Sequence, residues 1–214
     1  MTACIRRLST VAGKDTVVVH SEAGRWEIAS AAAAELQLAP GVAVTPAMQA
    51  RIEAAERRRA AAARALRSLR RRPRTESEVR ADLERAGFTP DIASGVLAEL
   101  RRQGLVDDAR WARWFVEARL AHRPQGAAAL VREMRARGVA PELAASAVAG
   151  AAAGSESQRA LAAARKRLAS LRGLPRERAA GRLARFLAGR GFGADTVNAV
   201  CAELLGVDAD EPGP

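Results

Sequence analysis

From residue 57 onward, apolar residues recur every three or four positions, which is the spacing of helices that each bury one face. The pattern breaks at Gly87, Gly138 and Gly191, which lie 51 residues (87 to 138) and 53 residues (138 to 191) apart. A glycine can adopt the positive φ that ends a helix, and each of these is followed by an apolar residue and then by an acidic residue suited to a first helical turn. The interval predicts a repeated unit of about fifty residues.

The helix after each glycine turn repeats its apolar positions as well. Residues four apart share one face in every copy: Ile92, Val96 and Leu100; Leu143, Ala147 and Ala151; Thr196, Val200 and Leu204. Pro73 and Pro124, 51 residues apart (73 to 124), separate a first helix from a second. A three-helix unit of this size buries little by itself, so neighbours are expected to stack. The predicted fold class is mainly α: three tandem three-helix repeats, of which the middle one ends in a thin helix over residues 147–153.

A different pattern precedes the repeats. Residues 16–20 are β-branched, residues 21–24 form a turn signal, and residues 25–28 alternate polar and apolar positions. These features predict a small β-hairpin, with residues 4–8 as a possible third strand. Thr45 and Pro46 then predict the capped start of a helix that runs into the arginine-rich stretch.

The predicted division of the chain follows from these patterns. Asp107 and Ser155 each resemble an N-cap, and each is followed by an acidic residue in the first turn. The segments are a β/linker extension (1–56), repeat 1 (57–106), repeat 2 (107–154), repeat 3 (155–207) and an acidic tail (208–214).

Charge is concentrated in one of these segments. The chain of 214 residues has a net charge of +11, and repeat 1 alone carries 13 basic and 6 acidic side chains, a local net of +7. Such a concentration favours a polyanionic partner or an acidic protein groove. The alternative is a solvated helical face, and charge by itself weighs the two about evenly.

Arginines dominate this basic segment, and Arg64, Arg67 and Arg71 fall on one helical stripe. Arginine binds phosphates and carboxylates through paired hydrogen bonds. The candidate residues for binding a partner or nucleic acid are Arg64, Arg67, Arg70, Arg71, Arg72, Arg74, Arg80, Arg119 and Arg123.

Catalytic or cofactor chemistry has little support in the sequence. Neither His20 nor His122 has a second histidine or a cysteine at metal-ligand spacing. Asp107 and Asp108 could bind Mg²⁺, but a helix cap explains them better. No glycine-rich phosphate loop joins a strand to a helix. We therefore expect a protein that is not an enzyme, with no catalytic residues, no cofactor and no metal.

The remaining features concern aromatic residues, cysteines and location. Trp111, Trp114 and Phe115 have the spacing of a helix core, although they could also stack on bases. The two cysteines are far apart in sequence, and no segment has the length of a signal peptide core or of a membrane span. We expect free thiols, a cytoplasmic location and a monomer.

The residues that carry the repeat pattern also resemble a known family. The stretches are Arg74-Thr75-Glu76-Ser77-Glu78-Val79-Arg80 with Leu83 and Gly87; Gly104-Leu105-Val106-Asp107-Asp108 with Trp111, Ala112, Val116 and Arg119; and Gly126, Leu130, Met134, Gly138 and Val139. Together they resemble the RecX family of bacterial regulators of the RecA recombinase. Two positions depart from the family pattern: a tryptophan stands at 111 in place of tyrosine or phenylalanine, and residues 122–125 lack the usual lysine, for which Arg123 could substitute.

The resemblance implies binding in the groove of a RecA–DNA filament and modulation, mostly inhibition, of recombinase and ATPase activity, within DNA repair, recombination and the SOS response. The expected partners are the RecA filament and, weakly and electrostatically, single- and double-stranded DNA, with no membrane. One alternative is a helix-turn-helix-like regulator acting directly on DNA, for which Arg101 and Arg102 could touch phosphates. Another is a structural adaptor without nucleic acid, against which the local charge of +7 argues.

Overall fold

The computed structural model describes residues 3–151 and 155–206. These residues form two compact units. The first comprises the described residues up to Arg74 together with Glu78–Val106, and the second comprises Thr75–Ser77 together with the described residues from Asp107 onward. The predicted acidic tail and the end of the predicted thin helix, residues 152–153, lie outside the described residues.

The first unit opens with a three-stranded antiparallel sheet whose strands lie side by side in chain order. The strands are β1 (Ile5–Thr10), β2 (Val17–Ser21) and β3 (Arg25–Ile28). Val19 pairs with Leu8 on one side and with Trp26 on the other, and its side chain is fully buried. The predicted hairpin and its third strand are therefore confirmed.

Helices α1 (Ser30–Glu35) and α2 (Pro46–Arg71) follow the sheet. The sequence did not predict α1, whose run of alanines has high helix propensity but almost no apolar periodicity. The predicted cap of α2 is present, because Thr45 Oγ1 accepts a hydrogen bond from the Met48 amide at 3.2 Å. Ile52 packs against the sheet, whereas Ala61 and Ala65 pack into the core of repeat 1. A single helix thus serves two cores and runs unbroken through the boundary proposed at residue 56.

Repeat 1 continues with α3 (Glu76–Arg85) and α4 (Pro90–Arg102). Its core contains Val79, Leu83, Leu97 and Leu100, all nearly inaccessible to solvent. The apolar periodicity of the two helices predicts this burial, because one stripe of each helix faces the other.

The second unit contains the helices of repeats 2 and 3. Repeat 2 has α5 (Asp108–His122), α6 (Ala127–Arg135) and α7 (Pro141–Ala149). Repeat 3 has α8 (Glu156–Leu168), a 3-10 turn (Ala169–Leu171), α9 (Arg176–Gly189) and α10 (Ala194–Leu205). Each repeat has its own apolar core, so the predicted tandem three-helix architecture is confirmed.

The predicted helix ends are also confirmed. Gly87, Gly138 and Gly191 have φ values of +85°, +80° and +80°. Asp107 Oδ1 accepts a hydrogen bond from the Arg110 amide at 2.8 Å, and Ser155 forms a reciprocal capping box with Gln158. Local sequence chemistry alone decides these features.

Two core predictions need correction. Leu143 is 36% exposed, and the buried residue is its neighbour Ala144, just as Ala93 and Val197 are buried in the other repeats. The buried stripe of each third helix therefore begins one residue later than predicted. Trp114 is 47% exposed while Trp111 is buried, because the narrow contact stripe of α5 passes through residues 111, 112, 115 and 116 and leaves position 114 outside it.

Candidate partner and nucleic-acid interface

The last turns of α2 present three exposed arginines, Arg67, Arg70 and Arg71. Helical spacing places them away from Ala61 and Ala65, which face the repeat core. Within the part of the chain that the structure describes, none of the three makes an ion pair. We call these three residues the α2 basic face. Its charges are fully available to an external anion.

Two other predicted arginines of this stretch are paired with carboxylates of the same unit. Arg64 donates through Nε and Nη2 to the two carboxylate oxygens of Asp82 at 3.0 and 3.1 Å. Arg72 makes the same forked contact with Glu78 at 3.0 and 3.2 Å. The hydrogen bond from Arg64 holds the pKa of Asp82 below its ordinary value, although burial of the carboxylate acts in the opposite direction. Both pairs tie α2 to α3.

Arg74 precedes the middle helix of repeat 1, and Arg80 lies within it. Arg80 Nη1 donates to Ser94 Oγ at 2.9 Å and so links α3 to α4. Arg74 lies near enough to Asp82 to lower the pKa of that carboxyl, and its Nε is buried without a hydrogen-bond partner among the described residues. Both side chains are half-buried, whereas the arginines of the α2 basic face are exposed.

Arg119 is neutralised within the second unit. Arg119 Nη2 lies 2.8 Å from Glu133 Oε2, and the Arg119 guanidinium lies 5.1 Å from the centre of the Phe115 ring. Arg137 lies over the same ring at the same distance, and Gln125 donates to Glu133 at 3.1 Å. The ring, the two arginines and Glu133 form what we call the Phe115 cluster. Arg119 is thus paired with a carboxylate inside repeat 2.

A related cluster in repeat 3 is centred on Phe186, Arg167 and Arg190, none of which is a predicted site residue. Arg167 and Arg190 lie 5.4 and 4.5 Å from the centre of the Phe186 ring, and Arg190 Nη1 donates to the Pro124 carbonyl at 3.2 Å. Burial, and then the charge of Arg123, lower the pKa of Arg190. This Phe186 cluster borders a pocket of about 330 Å³. It brings Arg123, which was predicted, together with cations that were not.

Other chemistry is sparse. In residues 3–151 and 155–206, no group of histidine, cysteine, aspartate and glutamate side chains is arranged to hold a metal ion. Over the same residues, no helix is both long and apolar enough to cross a bilayer. Neither cysteine is in a disulfide, and burial raises the pKa of Cys201.

The third helix of repeat 1, α4, is the one that would read DNA if the protein acted as a helix-turn-helix-like regulator. A reading helix needs a polar, exposed face directed at base edges. Val96, Leu97 and Leu100 are buried in the repeat core, and Arg102 near the end of α4 is exposed and ion-paired with Glu99. The helix therefore serves mainly to close the repeat.

Comparison with known proteins matches the three repeats one by one. The family models described as the first, second and third three-helix domains of RecX match residues 61–100, 107–148 and 155–201. A regulatory protein RecX of Thermobifida fusca is 37% identical over 152 residues, covering 70% of this chain and 82% of that protein. One of Amycolatopsis mediterranei is 41% identical over 123 residues, covering 56% of this chain and 69% of that protein.

Solved structures show the same fold. A crystal structure of regulatory protein RecX superposes with a TM-score of 0.82 at 20% identity, covering 95% of this chain and 98% of that one. The crystal structure of RecX from Lactobacillus salivarius superposes with a TM-score of 0.66 at 18% identity, covering 72% and 99%. At these identities the likeness concerns the fold alone.

Proposed function

The chain belongs to the RecX family of regulatory proteins, and from that premise we propose that it binds RecA recombinase on DNA and inhibits its ATPase and strand-exchange activities. It acts by binding, without catalysis or a cofactor. It works as a monomer in the cytoplasm, in the context of DNA repair, recombination and the SOS response.

The observation that carries this proposal is the α2 basic face. Arg64 and Arg72 are neutralised by Asp82 and Glu78, whereas Arg67, Arg70 and Arg71 have no acidic partner within the described residues. A nucleoprotein filament offers a dense row of phosphates, and each phosphate neutralised by a basic side chain releases counterions. The same face would also complement an acidic groove on the protein component of the filament.

The repeat architecture supports the same proposal. Each three-helix repeat has a separate core, so each can offer its own surface to a repeating partner. When one repeat is bound, the linked repeats are held at a high effective concentration, and several weak contacts add up to firm binding. Weak, salt-dependent and nearly sequence-independent binding to DNA alone is the corresponding expectation.

The test is RecA ATPase activity on single-stranded DNA, titrated with the parent protein and two charge-reversal variants. In Arg70→Glu/Arg71→Glu, the last turn of α2 loses two exposed arginines. The matched control is Arg132→Glu/Arg135→Glu, which removes two arginines from the last turn of α6 and changes net charge and helix-end electrostatics equally. We expect inhibition by the parent and the control, and an inhibitory concentration raised about tenfold or more for the α2 variant.

Three outcomes would contradict the proposal. If the parent leaves its own organism's RecA unaffected, the regulatory role fails. Equal weakening by both variants would show that total charge, and not the α2 basic face, drives association. High affinity for one duplex sequence without RecA would favour the alternative of a regulator that acts directly on DNA.

A further inference from the structure

One position of the middle helix carries a carboxylate in two repeats and an aromatic ring in the third. Counted back from the turn glycines, Asp82, Glu133 and Phe186 are equivalent, since each lies five residues before its glycine. In repeats 1 and 2 the residue is a carboxylate that pairs with an arginine of the first helix, namely Arg64 or Arg119. In repeat 3 it is an aromatic ring, which cannot accept such a pair.

The two arginines of the site are nevertheless retained in repeat 3. Arg119 and Arg167 are each the twelfth residue after an N-cap, and Arg137 and Arg190 each immediately precede the turn glycine. The two arginines are therefore present in both repeats, while the carboxylate that pairs with Arg119 in repeat 2 has no counterpart in repeat 3.

The space between these groups also changes. Phe115, the eighth residue after its N-cap, fills the site in repeat 2, and its equivalent in repeat 3 is Ala163. The small alanine leaves the pocket of about 330 Å³ that Lys166, Arg167, Ser170, Phe186 and Arg190 line. Repeat 3 thus has an open cavity at the place where repeat 2 has a packed ring and an ion pair.

The pocket is positively charged and has no internal counter-charge. No aspartate or glutamate lines it, and in the described parts of the chain Lys166, Arg167 and Arg190 make no ion pair. The contacts with Phe186 attract the guanidinium groups but do not cancel their charge, and they leave N–H donors unused. Burial and the nearby Arg123 both lower the pKa of Arg190, which is the expected sign for cations held together without an anion.

We propose that this pocket binds a phosphate group of a single-stranded nucleic acid. Arginine pairs form forked hydrogen bonds with phosphate oxygens, and Lys166 adds a point charge. The cavity lies at the small end of the range for ligand sites, roughly 300–1,000 Å³, which suits one nucleotide unit. The pocket is partly open, with Lys166 and Arg167 exposed at its edge, so a flexible strand can place a phosphate in it more readily than a duplex, whose backbone is held on a stiff cylinder. A base can also stack on the guanidinium planes. This site is distinct from the α2 basic face and does not depend on it.

The test restores the missing carboxylate. In Phe186→Glu, the introduced side chain is expected to take the place that Glu133 holds in repeat 2 and to pair with Arg167, as Glu133 pairs with Arg119. Phe186→Gln is the neutral, equally sized counterpart. Ala188→Glu adds the same charge to an exposed position on another side of α9, outside the pocket. Binding of a labelled oligo-dT strand to the full chain is measured by fluorescence anisotropy over a range of salt concentrations.

We expect Phe186→Glu to weaken binding about tenfold, since it removes charge-assisted hydrogen bonds to phosphate. The slope of log affinity against log salt should fall by about 0.7 for each phosphate that the variant no longer neutralises. Phe186→Gln and Ala188→Glu should keep the slope of the parent. Arg167→Gln, at an exposed position, should lower the slope without affecting folding, which thermal melts monitor in all variants.

Other results would overturn the proposal. Equal weakening by Phe186→Glu and Ala188→Glu would reveal only a general field effect. If polyglutamate bound at the pocket and the strand did not, the ligand would be an acidic protein segment. Inorganic phosphate that shifts the NMR signals of Phe186, with strand binding insensitive to Phe186→Glu and Arg167→Gln, would identify a free phosphate compound in place of a nucleic acid.

Discussion

The Phe115 cluster and the Phe186 cluster occupy equivalent places in two repeats of one architecture, yet they use their arginines differently. In the Phe115 cluster, Glu133 pairs with Arg119, and the buried ring lies 5.1 Å from each of two guanidinium groups. In the Phe186 cluster the ring takes the position of the carboxylate, and a pocket opens beside it. One repeat thus uses positive charge to hold its helices together, while the next leaves the same charge available to a ligand.

This difference shows why a count of basic residues is a poor guide to a binding surface. Repeat 1 has the highest net charge, but Arg64 and Arg72 are paired inside it. Repeat 3 has a lower net charge, but its cations surround a cavity without an acid. What matters for binding is the positive charge that internal carboxylates leave uncompensated.

The largest expected effect is the loss of stability when either ring is removed, and it should differ between the two because they are packed differently. Phe115→Ala should destabilise the protein by about 3–4 kcal/mol, because the ring is buried in the core of repeat 2. Phe186→Ala should cost about half as much or less, because this ring is half-buried beside an open pocket. Denaturant unfolding of both variants measures the difference. Equal destabilisation would mean that the two clusters are packed alike and that the pocket is not open.

The second prediction compares the turn glycines of repeats 1 and 2, Gly87 and Gly138. A Cβ at Gly138 would overlap the Ser77 side chain, whereas a Cβ at Gly87 would meet open space. Gly87→Ala should therefore cost only the strain of positive φ, about 1 kcal/mol, and Gly138→Ala about 2–4 kcal/mol. Thermal melts of the two variants provide the comparison. If they shift alike, backbone strain alone governs these turns.

The third prediction uses pH to test Asp82, the carboxylate of repeat 1 whose equivalent in repeat 3 is Phe186. Arg64 lowers the folded-state pKa of Asp82, so this pair contributes stability at neutral pH. The contribution is present above the ordinary pKa of an aspartate, about 4, and is lost as the pH falls through the lowered value. Asp82→Asn should have a lower free energy of unfolding than the parent at pH 7, and the difference should narrow towards pH 2. Denaturant unfolding at a series of pH values measures this difference. If it stays constant over the range, Asp82 acts through its shape and not through its charge.

The smallest effect concerns the indole of Trp111 beside the Phe115 ring. The Trp111 ring stacks on Phe115 with centroids 5.0 Å apart, but its Nε1 is buried without a hydrogen-bond partner in the described residues. Trp111→Phe removes this unsatisfied donor while keeping most of the apolar contact, so stability should change by less than about 1 kcal/mol in either direction. Calorimetry can resolve such a change. A destabilisation above about 2 kcal/mol would show that the volume of the indole, and not its N–H group, dominates at this position.

Local interactions explain what could be predicted from the sequence. The three-repeat pattern, the turn glycines with positive φ and the caps at Asp107 and Ser155 all depend on residues within a few positions of each other. Apolar periodicity then identified most core residues, because a helix has a fixed angle per residue. It misplaced Leu143 and Trp114, since the width and centre of the buried stripe depend on the partner helix.

The repeats, the helix ends and the set of arginines follow from the order of residues along the chain. Which arginines remain unpaired depends on helix packing, because the partners Arg64 and Asp82 are 18 positions apart and meet only when two helices pack. The same holds for Phe186 and Arg167, which lie on different helices, and for the hydrogen bond from Arg190 to the Pro124 carbonyl, which spans 66 positions. Pairing of charges is a property of distances between helices, and such distances are set by core packing, which no local pattern specifies.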